Sequence, residues 1–165
     1  MKKAVFAVLF FACLSFGQND YLNLNFGMSV NQVRQKGYNI TLQANDDNEL
    51  IATYADNSTL NPPLAHRTFT FHNDKLFAVM LYYENVLRAG VEKAIYDGLN
   101  NRYKLHNKWR KEGDSKLFAV VDDLEFTIFL QDINIGEMEV MIRGLKVLRQ
   151  LEEHNRNKTK QNLGF

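Results

Sequence analysis

The stretch that decides the fold is Arg67-Thr68-Phe69-Thr70-Phe71-His72-Asn73-Asp74-Lys75-Leu76-Phe77-Ala78-Val79-Met80-Leu81-Tyr82-Tyr83. In its first part Thr68 and Thr70 alternate with Phe69 and Phe71, the period of a strand with one face in a core. Asn73-Asp74 supplies a two-residue turn, because short polar side chains tolerate positive φ. The second part, 75–83, is β-rich and apolar on both sides. Strict alternation puts Leu76, Ala78, Met80 and Tyr82 on one face and Phe77, Val79, Leu81 and Tyr83 on the other. Burial on both faces marks a central strand.

After this hairpin the period changes. Leu87, Val91, Ala94, Ile95, Leu99 and Tyr103 recur three and four residues apart, which predicts an amphipathic helix over 86–104. Gly90 and Gly98 each weaken it by about 1 kcal/mol relative to Ala. A polar segment containing Trp109 follows, then three strands at 116–121, 124–130 and 137–143, the first two joined by Asp122-Asp123. Phe126, Ile128 and Leu130 oppose Glu125, Thr127 and Gln131. Met138, Val140 and Ile142 oppose Glu137, Glu139, Met141 and Arg143. This alternation describes antiparallel strands with one wet face. Leu145, Val147, Leu148 and Leu151 mark a last helix ending near Asn155.

Before the hairpin, Ser29 with Gln32 three residues later forms a capping-box pattern, and Gly37 is a natural stop, giving a helix at 29–36. Residues 39–48 are polar and turn-rich, and 50–55 read as a further strand. Segregated runs of helices and strands imply an α+β fold: an antiparallel sheet of five to six strands with helices packed on one face. Lys75-Leu76-Phe77-Ala78-Val79 recurs as Lys116-Leu117-Phe118-Ala119-Val120, either by chance between two apolar strands or as a relic of duplication.

The N-terminus carries an address. Lys2 and Lys3 precede an unbroken apolar run from Ala4 to Ala12, and Ser15 and Gly17 stand where a signal peptidase needs small side chains. Cleavage between Gly17 and Gln18 is expected, with the run too short for the roughly 18–20 residues of a membrane span. The layout is therefore a signal peptide at 1–17, a single domain at 18–155 and a polar tail at 156–165 expected to be disordered. Cys13, the only cysteine, offers a second route: cleavage before it and lipidation as an envelope lipoprotein. In the Gln18 form no thiol is left for disulfide or nucleophile.

Composition bounds function. Loss of Lys2 and Lys3 takes the formal charge from +1 to −1, which excludes an electrostatic nucleic-acid binder. No second apolar run approaches membrane-spanning length, so no membrane span is expected in the mature chain. His66 and His72 flank one strand roughly 20 Å apart at about 3.3 Å per residue, too far to share a metal. His106 and His154 stand in no dense ligand spacing. Asp46-Asp47 and Asp122-Asp123 are turn pairs, and no serine lies in a Gly-x-Ser-x-Gly segment. No catalytic set, metal site or cofactor is assigned. Tyr82, Tyr83, Tyr103 and Trp109, aromatic residues near charge, are the candidate binding residues.

The segment Phe26-Gly27-Met28-Ser29-x-x-x-Val33, followed by the Phe71-His72-Asn73-Asp74-Lys75-Leu76 hairpin, resembles the BamE/SmpA-like group of small exported bacterial proteins over about residues 26–83. That resemblance implies helices on one face of a small antiparallel sheet and a protein-binding or assembly role rather than catalysis. The reading is an exported, periplasmic or secreted, non-catalytic binding or assembly module whose partner is a protein or envelope component. Its rivals are a small secreted hydrolase whose His66, His72, His106, Asp122 or Asp123 converge in three dimensions, and a carrier with an enclosed apolar pocket.

Overall fold

Helix α1 (Val30–Gln35) begins where the capping box places it. The Gln32 amide donates to Ser29 Oγ at 3.2 Å, and the Ser29 amide donates to Gln32 Oε1 at 2.8 Å. Asp74, in the hairpin turn, accepts from the Val30 amide at 2.9 Å, so the turn helps cap the helix. Gly37 (φ 94°) ends it. The protein is described here by a computed structural model covering residues 23–47, 50–60, 63–86, 90–130 and 136–162. Cys13, Gly17 and Gln18 lie outside the described residues.

The strands are β1 (Ile40–Asp46), β2 (Ile51–Asp56), β3 (Leu64–His72), β4 (Lys75–Tyr83), β5 (Arg110–Lys111), β6 (Lys116–Val121), β7 (Leu124–Leu130) and β8 (Met138–Gly144). Helix α2 (Val91–Tyr103) stands between β4 and β5, and α3 (Leu145–Asn162) follows β8. All eight strands form one antiparallel sheet in the order β1-β2-β3-β4-β8-β7-β6-β5. The β3–β4 turn has both Asn73 (φ 47°) and Asp74 (φ 57°) left-handed, as a tight hairpin requires.

The expected α+β fold with five to six strands and helices on one face is therefore corrected in two respects. First, strand outweighs helix among the described residues, 42% to 28%, so the fold is closer to all-β than to α+β, and two of its strands go unread in the sequence. After Ile40, strand β1 is exposed along its length, so as a sheet edge it carries no alternation of buried apolar residues. Strand β5 is two exposed residues within a polar segment. Second, the helices lie on both faces. Val30 and Val33 of α1 and Ile95 and Leu99 of α2 pack on the inner face with Phe69, Val79, Leu81, Phe126, Val140 and Ile142. Val147 and Leu151 of α3 instead pack with Phe77 and Ala78 on the outer face. Helix α3 also runs past Asn155 to Asn162.

A bulge explains why α3 finds a seat there. In the β3–β4 ladder Thr70 pairs with Ala78 but Phe71 pairs with Leu76, leaving Phe77 as an extra residue. Strict alternation would send Phe77 inward with Val79, Leu81 and Tyr83. The bulge turns Phe77 outward beside Ala78, and Leu76 takes the inner position at 1% exposure. Strand β4 is central, as its two apolar faces indicate.

The element order is a helix with a four-stranded meander, repeated, with β4 and β8 meeting in the middle of the sheet. The repeated Lys-Leu-Phe-Ala-Val segment does not follow that symmetry. Lys75 opens the fourth strand of the first unit, whereas Lys116 opens the second strand of the second unit.

Candidate functional site on the outer sheet face

Cross-strand register assembles the outer face in rows. One row reads Lys116, Phe129, Glu139, Tyr82, His66 from β6 to β3. The next reads Phe118, Thr127, Met141, Met80, Thr68. A third reads Val120, Glu125, Arg143, Ala78, Thr70. Helix α3 packs at the Ala78 end, over Phe77, Ala78 and Ile51. Among the described residues, no helix packs on the first two rows, and Phe118, Phe129, Met80, Met141 and Tyr82 remain half-buried there.

This surface is apolar at its centre and structured at its rim. Thr127 is 2% exposed, hidden among its larger neighbours. Arg143 Nε donates to Glu125 Oε1 at 2.7 Å, so that charge pair is satisfied within the sheet. Lys116 is likewise bridged to Glu112 at 2.6 Å. At the other end the His66 and Tyr82 rings stack 4.4 Å apart and nearly parallel. The Tyr82 hydroxyl donates to the Glu137 carboxylate. That bond, then burial, then the charges of Glu137, Glu84 and Glu139 push the phenol up to about 12. Methionine and aromatic side chains of this kind give an adaptable contact surface.

The four aromatic residues singled out by sequence are not brought together. Tyr82 lies on the open face, while its neighbour Tyr83 points into the core at 4% exposure. Trp109 is half-buried against the core. Its Nε1 donates to Asn100 Oδ1 at 2.7 Å, and its ring lies 5.4 Å from Tyr96, which fixes it to α2 as a packing residue. Tyr103 packs on Phe126 at 4.8 Å. Burial pushes its phenol up, partly offset by a hydrogen bond and charge from Arg102. Phe118, Phe129, Met80 and Met141, which line the open face, are not among the aromatic candidates of the sequence. The signal available was an apolar residue at a nominally wet position in each of β4, β6, β7 and β8.

The titratable residues are also dispersed. His66 stacks on Tyr82, His72 lies 5.6 Å from His154 under α3, and His106 sits 3.3 Å from Asn101. Asp122 and Asp123 occupy the exposed β6–β7 turn. Among the described residues no group of three His, Cys, Asp or Glu side chains is placed to hold a metal. A cleft of about 660 Å³ opens between the strap at 23–27, the end of α2 and the start of α3, with Tyr103, Asp123, Arg102 and Lys146 in its wall. Among the described residues no helix is long and apolar enough to cross a membrane. Comparison with known proteins finds no matching family, no matching curated protein and no matching solved structure.

Proposed function

We propose that the chain is an exported, non-catalytic binding or assembly module of the cell envelope that docks a protein partner on the open half of its outer sheet face. The observation that carries this reading is the pair of adjoining rows, in which four strands contribute Phe118, Phe129, Met80, Met141 and Tyr82 to one half-buried surface. Burying such a patch is favourable at about 25 cal/mol per Å² of apolar area. The signal-like 1–17 segment supports an extracytoplasmic location, with Gly17–Gln18 cleavage releasing a free protein and Cys13 acylation the tethered alternative. The likeness of Phe26-Gly27-Met28-Ser29 and the following hairpin to the BamE/SmpA-like group supports the same class of role.

The test places a photo-crosslinking amino acid at Val120 or Thr68 on the outer face, and at Glu92 on α2 as a control. Adducts with a discrete envelope protein from the outer-face positions alone are expected. Absence of any adduct above the Glu92 background overturns the docking reading. N-terminal sequencing of the exported chain separates a Gln18 start from an acylated Cys13.

A further inference from the structure

Resting on that docking reading, we infer that the partner presents a cationic, amphipathic segment, whose apolar side chains meet Met80, Met141, Phe118 and Phe129 while its lysine or arginine residues meet Glu84, Glu137 and Glu139. Charge complementarity favours this occupant. Of the cations that the sheet places on or beside this face, Arg143 is matched by Glu125 and Lys116 by Glu112, while Arg110 of β5, beside Phe118 and in no ion pair among the described residues, stands at the sheet edge away from the glutamates. The three glutamates at the Tyr82 end are in no ion pair among the described residues. Their combined field is registered by Tyr82, since all three raise its phenol.

Glu137 and Glu139 are half-buried, and Glu84 is exposed, next to the stacked His66–Tyr82 pair. Carboxylates held beside a partly dry apolar surface attract a cation more strongly than carboxylates free in water. They also repel phosphate, which turns the face away from nucleic acid and from anionic lipid headgroups. An incoming guanidinium or ammonium gains in addition from the aromatic ring at the same corner. A segment alternating apolar and basic residues satisfies both halves of the surface at once, and its charge fixes the direction in which it lies.

The test uses two labelled twelve-residue peptides, one alternating leucine with lysine and the other alternating leucine with glutamate, followed by fluorescence anisotropy on the mature protein. The lysine peptide is expected to bind and the glutamate peptide not to bind. Binding should weaken at least fivefold in the Glu137→Gln/Glu139→Gln variant and at least fivefold in Met80→Ala/Met141→Ala. It should remain unchanged in Glu152→Gln/Glu153→Gln, which removes two exposed carboxylates from α3. Circular dichroism of each variant keeps loss of binding distinct from loss of folding. Equal binding of the two peptides, an equal loss in the α3 variant, or binding to phosphatidylglycerol vesicles in place of the lysine peptide overturns the inference. Crosslinking from Val120 or Thr68 that persists in Glu137→Gln/Glu139→Gln would refute the cationic partner while leaving the docking reading intact.

Discussion

Asp56 and Arg67 give the sharpest test of how the sheet is held. Arg67 donates to Asp56 Oδ2 through Nε at 3.0 Å and Nη2 at 2.5 Å, with side-chain exposures of 7% and 0%. Asp56 also accepts from the Ser58 hydroxyl at 2.6 Å and the Ser58 amide at 3.0 Å. The guanidinium lies 4.6 Å from the Tyr38 ring centroid, and Tyr38 in turn meets Phe69 edge-on at 5.1 Å. Asp56→Asn removes the carboxylate charge and leaves Arg67 buried without its counter-ion. Breaking one side of such a pair costs about 3–5 kcal/mol, a large part of the roughly 5–15 kcal/mol that holds a domain folded. For a domain of this size that corresponds to a fall in Tm of about 10 °C. Replacing both partners, as Asp56→Leu with Arg67→Met, should cost less than the two single changes added together, because no lone buried charge remains. Urea denaturation of wild type, Asp56→Leu, Arg67→Met and the double variant measures the coupling, and Asp56→Asn is denatured beside them. A loss below about 1 kcal/mol for Asp56→Asn, or strict additivity, refutes the reasoning. Burial pushes the Asp56 carboxyl up, but the bonds from Ser58 and Arg67 and the Arg67 charge outweigh it and hold it below its ordinary value. The stability this contributes is present above the unfolded value of about 3.9 and is lost as pH falls through the lower folded value. Wild type should therefore lose this share below about pH 4, and Asp56→Asn should lack it at every pH.

Three further outcomes are expected. A Cβ on Gly144 would lie 2.5 Å from Phe26 Cβ and 2.6 Å from Cγ, so Gly144→Ala should cost about 1–3 kcal/mol by overpacking. A lower urea midpoint at unchanged slope would show it. Ser29→Ala removes the side-chain half of the capping box and should cost about 1 kcal/mol in thermal melts; no change would mean that Asp74 suffices as the cap. Absorbance titration at 295 nm should show Tyr82, like the buried Tyr103, ionising above the ordinary tyrosine value; Glu137→Gln should bring the Tyr82 phenol alone down toward 10.

The inner half of the architecture was legible because each strand announces it locally. Phe69, Phe126, Val140 and Ile142 are all at or below 1% exposure, where alternation places them. The capping box at Ser29 and the turn at Asn73-Asp74 were readable for the same reason, since their physics spans three or four residues. The outer face was not readable that way. Its central row joins Phe118, Thr127, Met141 and Met80 through three separate ladders, including the long-range pairing of β4 with β8. Nothing within any one strand reveals that these exceptions to alternation are neighbours.

One residue of register controls how that outer face is divided. Had β4 alternated without interruption, Phe77 would have entered the inner core and Leu76 would have faced out beside Ala78. The aromatic seat for Val147 and Leu151 would then be missing. With the bulge, Phe77 anchors α3 at one end of β4, while Met80 and Tyr82, beyond it, return to ordinary alternation on the same face. The covered and open halves are thus consequences of a single extra residue placed early in the central strand. Tyr82 and Tyr83, adjacent in sequence and alike in chemistry, are separated by the same pleat, one stacked on His66 at the open rim and the other 4% exposed in the core. Which side chains the outer face presents is set by register before it is set by residue type.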